Sequence, residues 1–318
     1  MPQTVLAETL LGDSRRLRIV EPNAGDADAI CGLIREAFSN RPQIDPPPPA
    51  LSETPETVAA ALAGGFGVLA LVDGEPAGVV MVSIDGPLAG ISRVSVRPGF
   101  QRRGIASALV EMVLEQLTTR GVTAVELVAR AEFPAVVGWW RRHGFTEVER
   151  VGTSLTLARQ LPVRRCAATA EDTQELGRRL AGIVRGGDVL IASGDLGAGK
   201  TTLAQGLGAG MQVAGAILSP TFVLSRVHPS NVGGPALVHV DAYRLGGFAE
   251  LEDLDLDVSL DDSVTLVEWG AGIAEGLAPG YLEIDIRRSL DPEDETRWIF
   301  LTPIGDRWTA VRPALEAL

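Results

Sequence analysis

Apolar and polar positions along this chain repeat with two periods, near 3.6 and near 2, and together they predict alternating helices and strands. Leu17–Val20 reads as a short strand. Asp26–Ser39 sets Ile30, Leu33, Ile34, Ala37 and Phe38 at the three-and-four spacing of a helix with one buried stripe. Pro46–Pro49 is a stiff polyproline segment, read as an ordered loop, and Thr54–Leu62 predicts a second helix. Gly67–Val72 and Ala77–Ile84 are apolar runs divided by Asp73-Gly74, the signature of a hairpin. Gly90–Val96 is another strand. Ile105–Leu117 is amphipathic, with Leu109, Met112, Val113 and Leu117 on one face. Ala124–Val128 (strand), Pro134–Arg142 (helix) and Thr153–Leu157 (strand) complete a mixed α/β segment that ends near Leu161-Pro162.

A second α/β segment follows. Asp172–Val184 predicts a helix and Asp188–Ala192 a buried strand, followed by a glycine-rich loop and a helix from Lys200. Ala236–Val240 and Val264–Val267 are buried strands, each followed by a carboxylate. Glu283–Ile286 and Trp298–Thr302 are late strands. No internal repeat is visible. The 318 residues therefore divide into two α/β domains, 1–162 and 163–318, each long enough to bury its own core.

Composition sharpens this division. Apolar residues make up 46%, which excludes a disordered chain. No apolar run reaches the ~18 residues of a membrane span, and Met1–Arg18 lacks the pattern of a signal peptide. Cys31 and Cys166 match no metal spacing, and reduced thiols in a cytoplasmic protein are expected. The net charge of −13 is uneven. Residues 1–165 hold 17 Lys+Arg against 18 Asp+Glu, whereas 166–318 hold 11 against 23. An acidic C-terminal half is a poor RNA binder by itself, so contact with RNA is expected to be indirect. Of the 28 basic residues 27 are Arg, and the one lysine is Lys200.

Lys200 closes a recognisable loop. Gly194-Asp195-Leu196-Gly197-Ala198-Gly199-Lys200-Thr201 fits the Walker A pattern, after a strand and before a helix. Glycines let successive N–H groups turn toward phosphate oxygens, and the helix presents its positive N-terminus to the same anion. Lys200 is then the β/γ-phosphate ligand and Thr201 a Mg²⁺ ligand. Asp241 and Glu268, at the C-terminal ends of buried strands, stand where open α/β sheets bind ligands. Taken alone, either acid could instead be a helix cap or part of a solvated rim.

Gly194–Thr202, Ser219-Pro220-Thr221, His239-Val240-Asp241-Ala242-Tyr243-Arg244-Leu245 and Val267-Glu268-Trp269 resemble, in order and spacing, the TsaE (YjeE) family. That family is the ATPase component of the bacterial system that makes threonylcarbamoyladenosine in tRNA, and it works with TsaB and TsaD. The resemblance implies a P-loop NTPase-like sheet flanked by helices. It also implies ATP on Gly194–Thr202, a switch role for Thr221, Mg²⁺ on Thr201 and Asp241, water polarisation by Glu268, and Trp269 beside the nucleotide. With no arginine finger evident, slow hydrolysis is expected.

In the first segment, Gln101-Arg102-Arg103-Gly104-Ile105-Ala106 opens the helix after the strand ending at Val96. Together with Trp140-Arg141-Arg142-His143-Gly144-Phe145, it resembles the GNAT acetyltransferases. The resemblance implies a GNAT-like mixed sheet with helices. The acetyl-CoA pyrophosphate is expected on the N–H groups of Gln101–Ala106, and the pantetheine arm along Val94–Val96. Trp140 and Phe133 stand where the family often has Tyr and Asn, and both tyrosines of the chain, Tyr243 and Tyr281, lie in the other half. No acid for acetyl transfer is identified, and His143 reads as a structural residue at a helix end, with a general base as the alternative. The whole chain reads as an ATPase fused to an acetyltransferase-like domain. The alternatives are a nucleotide-dependent assembly factor with a non-catalytic acetyl-CoA-binding domain, or a small-molecule P-loop kinase.

Overall fold

The computed structural model describes residues 3–219, 224–252, 260–289, 291 and 294–318. The chain forms two compact units, Met1–Leu161 and Pro162–Leu318.

The first unit is an eight-stranded sheet among the described residues. Its strands are β1 (Thr4–Leu10), β2 (Arg16–Glu21), β3 (Gly65–Val72), β4 (Glu75–Asp85), β5 (Leu88–Val96), β6 (Ala124–Arg130), β7 (Thr146–Val151) and β8 (Ser154–Gln160), in spatial order β1-β2-β3-β4-β5-β6-β8-β7. β3 and β4 lie in mid-sheet, covered on both faces, which is why their sequences are almost unbroken apolar runs. Alternate side chains feed two cores. Leu69, Leu71, Val79 and Met81 pack with α1 (Ala27–Ser39) and α2 (Pro55–Gly64). Val68, Ala70, Val80 and Val82 pack with α3 (Ile105–Thr119) and α4 (Pro134–Arg142). The Pro46–Pro49 segment ends in a one-turn 3-10 helix, Pro49–Ser52.

Two irregularities shape the middle of this sheet. β5 carries an extra residue against β4, because Val79 pairs with Ser95 but Met81 pairs with Ser92; Arg93 in this bulge adopts φ +54°. β5 and β6 run parallel but pair only over Leu88–Gly90 and Ala124–Glu126, after which β6 remains laddered to β8 alone. The β5 residues beyond Gly90 therefore face β6 without ladder partners.

The second unit contains β9 (Val163–Ala167), β10 (Val189–Ser193), β11 (Ser225–His228), β12 (Ala236–Asp241), β13 (Ser263–Glu268), β14 (Tyr281–Arg288) and β15 (Arg297–Ile304). The order is β11-β12-β13-β10-β14-β15-β9. β12, β13, β10 and β14 are parallel and mostly buried, while the outer strands are antiparallel. α5 (Ala170–Leu180) and α6 (Lys200–Gly210) cover one face. α5 begins two residues before the Asp172 start read from its apolar spacing, because Thr169 and Asp172 form a capping box that fixes the first turn.

α5 and α6 approach closely through glycines. A Cβ on Gly206 would meet the Gln174 carbonyl oxygen at 2.0 Å, and one on Gly177 would meet the Leu203 carbonyl oxygen at 2.3 Å. On an open helix face alanine would be the better helix former by about 1 kcal/mol. Here the backbone contact reverses that preference. Gly206→Ala should destabilise the protein by about 1–3 kcal/mol in urea denaturation. Gly64→Ala, where a Cβ meets nothing, should not. Equal stability of the two variants would contradict the close helix contact.

Candidate functional site

β10 ends at Ser193 and α6 begins at Lys200, so Gly194–Gly199 must reverse the chain within six residues. Gly194 does this at φ +133°, pressed so closely to β14 that a Cβ would lie 2.2 Å from the Ile286 carbonyl oxygen. Gly199, at φ +112°, is the N-cap of α6 and has no side chain to occupy the first-turn N–H groups. Asp195, Leu196 and Gly197 form the outer tip, where Leu196 is 84% exposed, while Ala198 is fully buried beneath them.

Lys200 folds back into this loop. Its Nζ donates to the carbonyl oxygens of Gly194 (2.7 Å) and Asp195 (3.0 Å) and lies 3.7 Å from the centre of the Trp269 ring. Burial pushes the ammonium below the usual lysine value, and the charges of Glu268, Asp241 and Asp195 oppose that shift. Thr201 donates its hydroxyl to Glu268, at 2.9 Å from Oε1 and 3.1 Å from Oε2. Thr202 follows it in the first turn of α6.

The two acids arrive from neighbouring strands. Asp241 ends β12 and Glu268 ends β13, and the two are register partners, both buried. Asp241 Oδ1 accepts from the Tyr243 N–H at 3.0 Å. Glu268 Oε1 lies 2.8 Å from Nε2 of His239, which is fully buried. Trp269 turns to φ +59°, and its N–H donates to the Ala192 carbonyl. Its ring lies 5.1 Å from that of Tyr243. Lys200, Thr201, Asp241, Glu268 and Trp269 thus converge at the C-terminal ends of β12, β13 and β10. β10 is the strand from which the sheet grows in both directions, to β13 on one side and β14 on the other. An oxygen-only set, the Thr201 hydroxyl beside the Asp241 and Glu268 carboxylates, suits a hard divalent cation such as Mg²⁺. Thr221 lies outside the described residues.

In the first unit the expected residues gather at the β5 end. Gln101–Gly104 is a turn, with Arg102 at φ +61° and Gly104, the N-cap of α3, at φ +80°. Ile105 is buried, so only its backbone can serve a ligand; Ala106 follows it in the first turn of α3, and Arg103 is ion-paired with Asp13. The carbonyls of Val94 and Val96 are both engaged. Arg41 Nη2 donates to Val94 at 3.0 Å, and Gln101 Nε2 donates to Val96 at 3.2 Å. Trp140 is buried against Phe145, with ring centres 4.9 Å apart. His143 bridges two helices, with Nδ1 2.9 Å from the Trp139 carbonyl oxygen and Nε2 3.1 Å from the Ser107 hydroxyl in the first turn of α3. A cavity of about 240 Å³ beside the bulge is lined by Ile34, Glu53, Thr57, Val58, Met81 and Arg93. Hydrogen bonds from Thr57 and Arg93 outweigh the burial of Glu53 and hold its carboxyl below the usual range.

Residues 167–297 match the family described as threonylcarbamoyl adenosine biosynthesis protein TsaE, and residues 29–145 match the acetyltransferase (GNAT) family. The tRNA threonylcarbamoyladenosine biosynthesis protein TsaE of Streptomyces coelicolor is 59% identical over 137 residues, 42% of this chain and 93% of that protein. The chain belongs to the TsaE family. Its N-terminal unit is in addition a GNAT-like domain. Among solved structures, Bacillus subtilis YdiB is 30% identical, with a TM-score of 0.41 over 49% of this chain and 95% of that one. The ribosomal-protein-S18-alanine N-acetyltransferase of Escherichia coli is 19% identical, with a TM-score of 0.39 over 46% of this chain and 94% of that one.

Sequence reading of this TsaE-family chain assigned no role to His239, Arg41 or the Glu53–Arg93 pair. His239 stood inside a quoted motif, but its partner Glu268 is 29 residues away. Arg41 lies 53 residues from Val94. No local period connects such positions. Among the described residues no helix is long and apolar enough to cross a membrane.

Proposed function

We propose that the C-terminal unit, residues 163–318, is a Mg²⁺-dependent ATPase serving tRNA threonylcarbamoyladenosine biosynthesis. The observation that carries this reading is the junction of Lys200, Thr201, Asp241 and Glu268 at three adjacent strand ends. ATP phosphates would lie on the N–H groups of Gly194–Thr202, with Lys200 exchanging its two loop carbonyls for phosphate oxygens. Thr201 and Asp241 would hold Mg²⁺, which when bound neutralises phosphate charge. Glu268 would orient a water for in-line attack on the γ-phosphorus. The oxygen bridging to ADP departs with the electron pair of the broken P–O bond, and phosphate leaves. Catalysis is positioning and charge stabilisation, with Thr221 as the switch and Trp269 beside the nucleotide. The excess of acid in this half supports a division of labour in which TsaB- and TsaD-like partners in the cytoplasm hold the tRNA.

The N-terminal unit, residues 1–162, would bind acetyl-CoA. The pyrophosphate would take the first-turn N–H groups after Gly104, with Gln101, Arg102, Arg103, Ile105 and Ala106 around it. The pantetheine amides would take the carbonyls of Val94 and Val96. Burial of Trp140 where an acid would be needed favours a second reading of this unit, an acetyl-CoA-binding module without turnover.

Lys200→Ala should abolish ATP binding in calorimetry and leave acetyl-CoA binding intact; joint loss would contradict two independently acting units. Glu268→Ala should keep ATP binding and lower single-turnover hydrolysis by about 10²–10³, and an unchanged rate would remove its water-positioning role. Arg41→Ala should tighten acetyl-CoA binding about two- to tenfold, because the ligand no longer displaces a guanidinium from Val94. Weaker binding would instead make Arg41 a ligand of acetyl-CoA.

A further inference from the structure

The centre of β12 is apolar except at one position. Leu237, Val238 and Val240 are buried hydrophobics, and between them stands His239, wholly buried. Its neighbour on the same face of the strand is Asp241, two residues on. Its register partner is Leu266, which places the imidazole beside Glu268, two residues further along β13. A carboxylate can only accept, so the 2.8 Å contact with Glu268 Oε1 is a bond donated by the Nε2–H of His239. Nδ1 is buried without a hydrogen-bond partner among the described residues. A leucine here would avoid that unpaired atom, so a histidine costs stability at this position and gives in return one directed donor.

We propose that His239 is the positioning residue for Glu268, an inference that rests on the reading of Glu268 as the group that orients water. In the structure, Glu268 accepts from two side chains, Thr201 and His239. Thr201 stands at the loop, where its oxygen would also be a metal ligand. His239 is fully buried, so its bond to Glu268 does not depend on what the loop holds. It holds Oε1 from within the sheet and restricts the rotamers open to the carboxylate. Without it Glu268 is free to choose other rotamers, and the attacking water loses its fixed acceptor.

The test is single-turnover hydrolysis by the full chain in excess over Mg·ATP, with the affinity for a non-hydrolysable ATP analogue measured in parallel. His239→Leu should lower the hydrolysis rate about 10- to 100-fold and leave analogue affinity within about twofold. His239→Gln carries an amide N–H at nearly the reach of Nε2 and should return the rate to within a few fold of the parent. His239→Asn, whose amide falls short at the Nδ1 position, should be as slow as the leucine variant. A leucine variant at the parental rate overturns the proposal, as does a glutamine variant no faster than asparagine. If the leucine variant fails to fold, the glutamine–asparagine comparison decides alone. Failure of the underlying reading is separate: Glu268→Ala would then hydrolyse ATP normally, whatever the His239 variants do.

Discussion

The Glu268 carboxylate is the point on which the C-terminal unit closes. It ends β13, accepts from α6 through Thr201 and accepts from β12 through His239. A buried carboxylate without donors would carry a large desolvation penalty, so these contacts are conditions for placing the acid there at all. They also register the helix against the sheet, because Thr201 is the second residue of α6 and can reach Glu268 only when the loop before it is wound as observed. Trp269 follows immediately with a left-handed backbone, and its ring covers Lys200. The lysine of the loop is therefore internally satisfied. An anion on this loop would compete with the Gly194 and Asp195 carbonyls for Lys200.

The first unit builds a similar helix start from the same parts in a different surround. Gly104 and Gly199 are each the left-handed N-cap of a helix that follows a strand, and neither places a capping side chain over the first turn. What differs is the acid. Two buried carboxylates border the loop at Gly194, whereas the corresponding edge of the first unit presents the carbonyls of Val94 and Val96. Val94 lies in the bulge at Arg93 and has no register partner on β4, and neither Val94 nor Val96 pairs with β6, which parts from β5 after three residue pairs. Arg41 and Gln101 satisfy them in the meantime. An edge of acceptors suits amide N–H groups of a ligand, as one of carboxylates suits a cation.

Both loops, the hairpin at Asp73-Gly74 and the long helices were legible because their signals are local: a turn pair, a glycine spacing, an apolar stripe. The central strands β3, β4, β10, β12 and β13 were legible because burial on both faces leaves them almost wholly apolar. The four strands without a counterpart in the hydrophobic pattern are β1, β7, β9 and β11, and they are the four edges of the two sheets. Thr146–Val151 alternates threonine, glutamate and arginine with valine and is exposed along nearly its whole length. Val163–Ala167 carries Arg164 and Arg165 and is held by pairing with β15. Charge on an edge discourages intermolecular pairing, and it also erases the alternation from which strands are read. At the site, Lys200, Thr201, Asp241 and Glu268 stood out individually, but the bonds among them join residues up to 67 positions apart.

The solitary lysine follows from the same geometry. Its Nζ is held between two carbonyl oxygens of one tight loop and against the face of Trp269, a pocket for a compact donor with three hydrogens pointing in different directions. A guanidinium spreads its donors in a plane. To reach both carbonyls it would have to lie across the loop, over its N–H groups. Elsewhere arginine serves well: the guanidinium carbons of Arg41 and Arg164 lie 3.8 and 3.6 Å from the ring centres of Phe38 and Trp298. A chain that uses arginine at 27 of 28 basic positions thus departs from it where planarity would block the site.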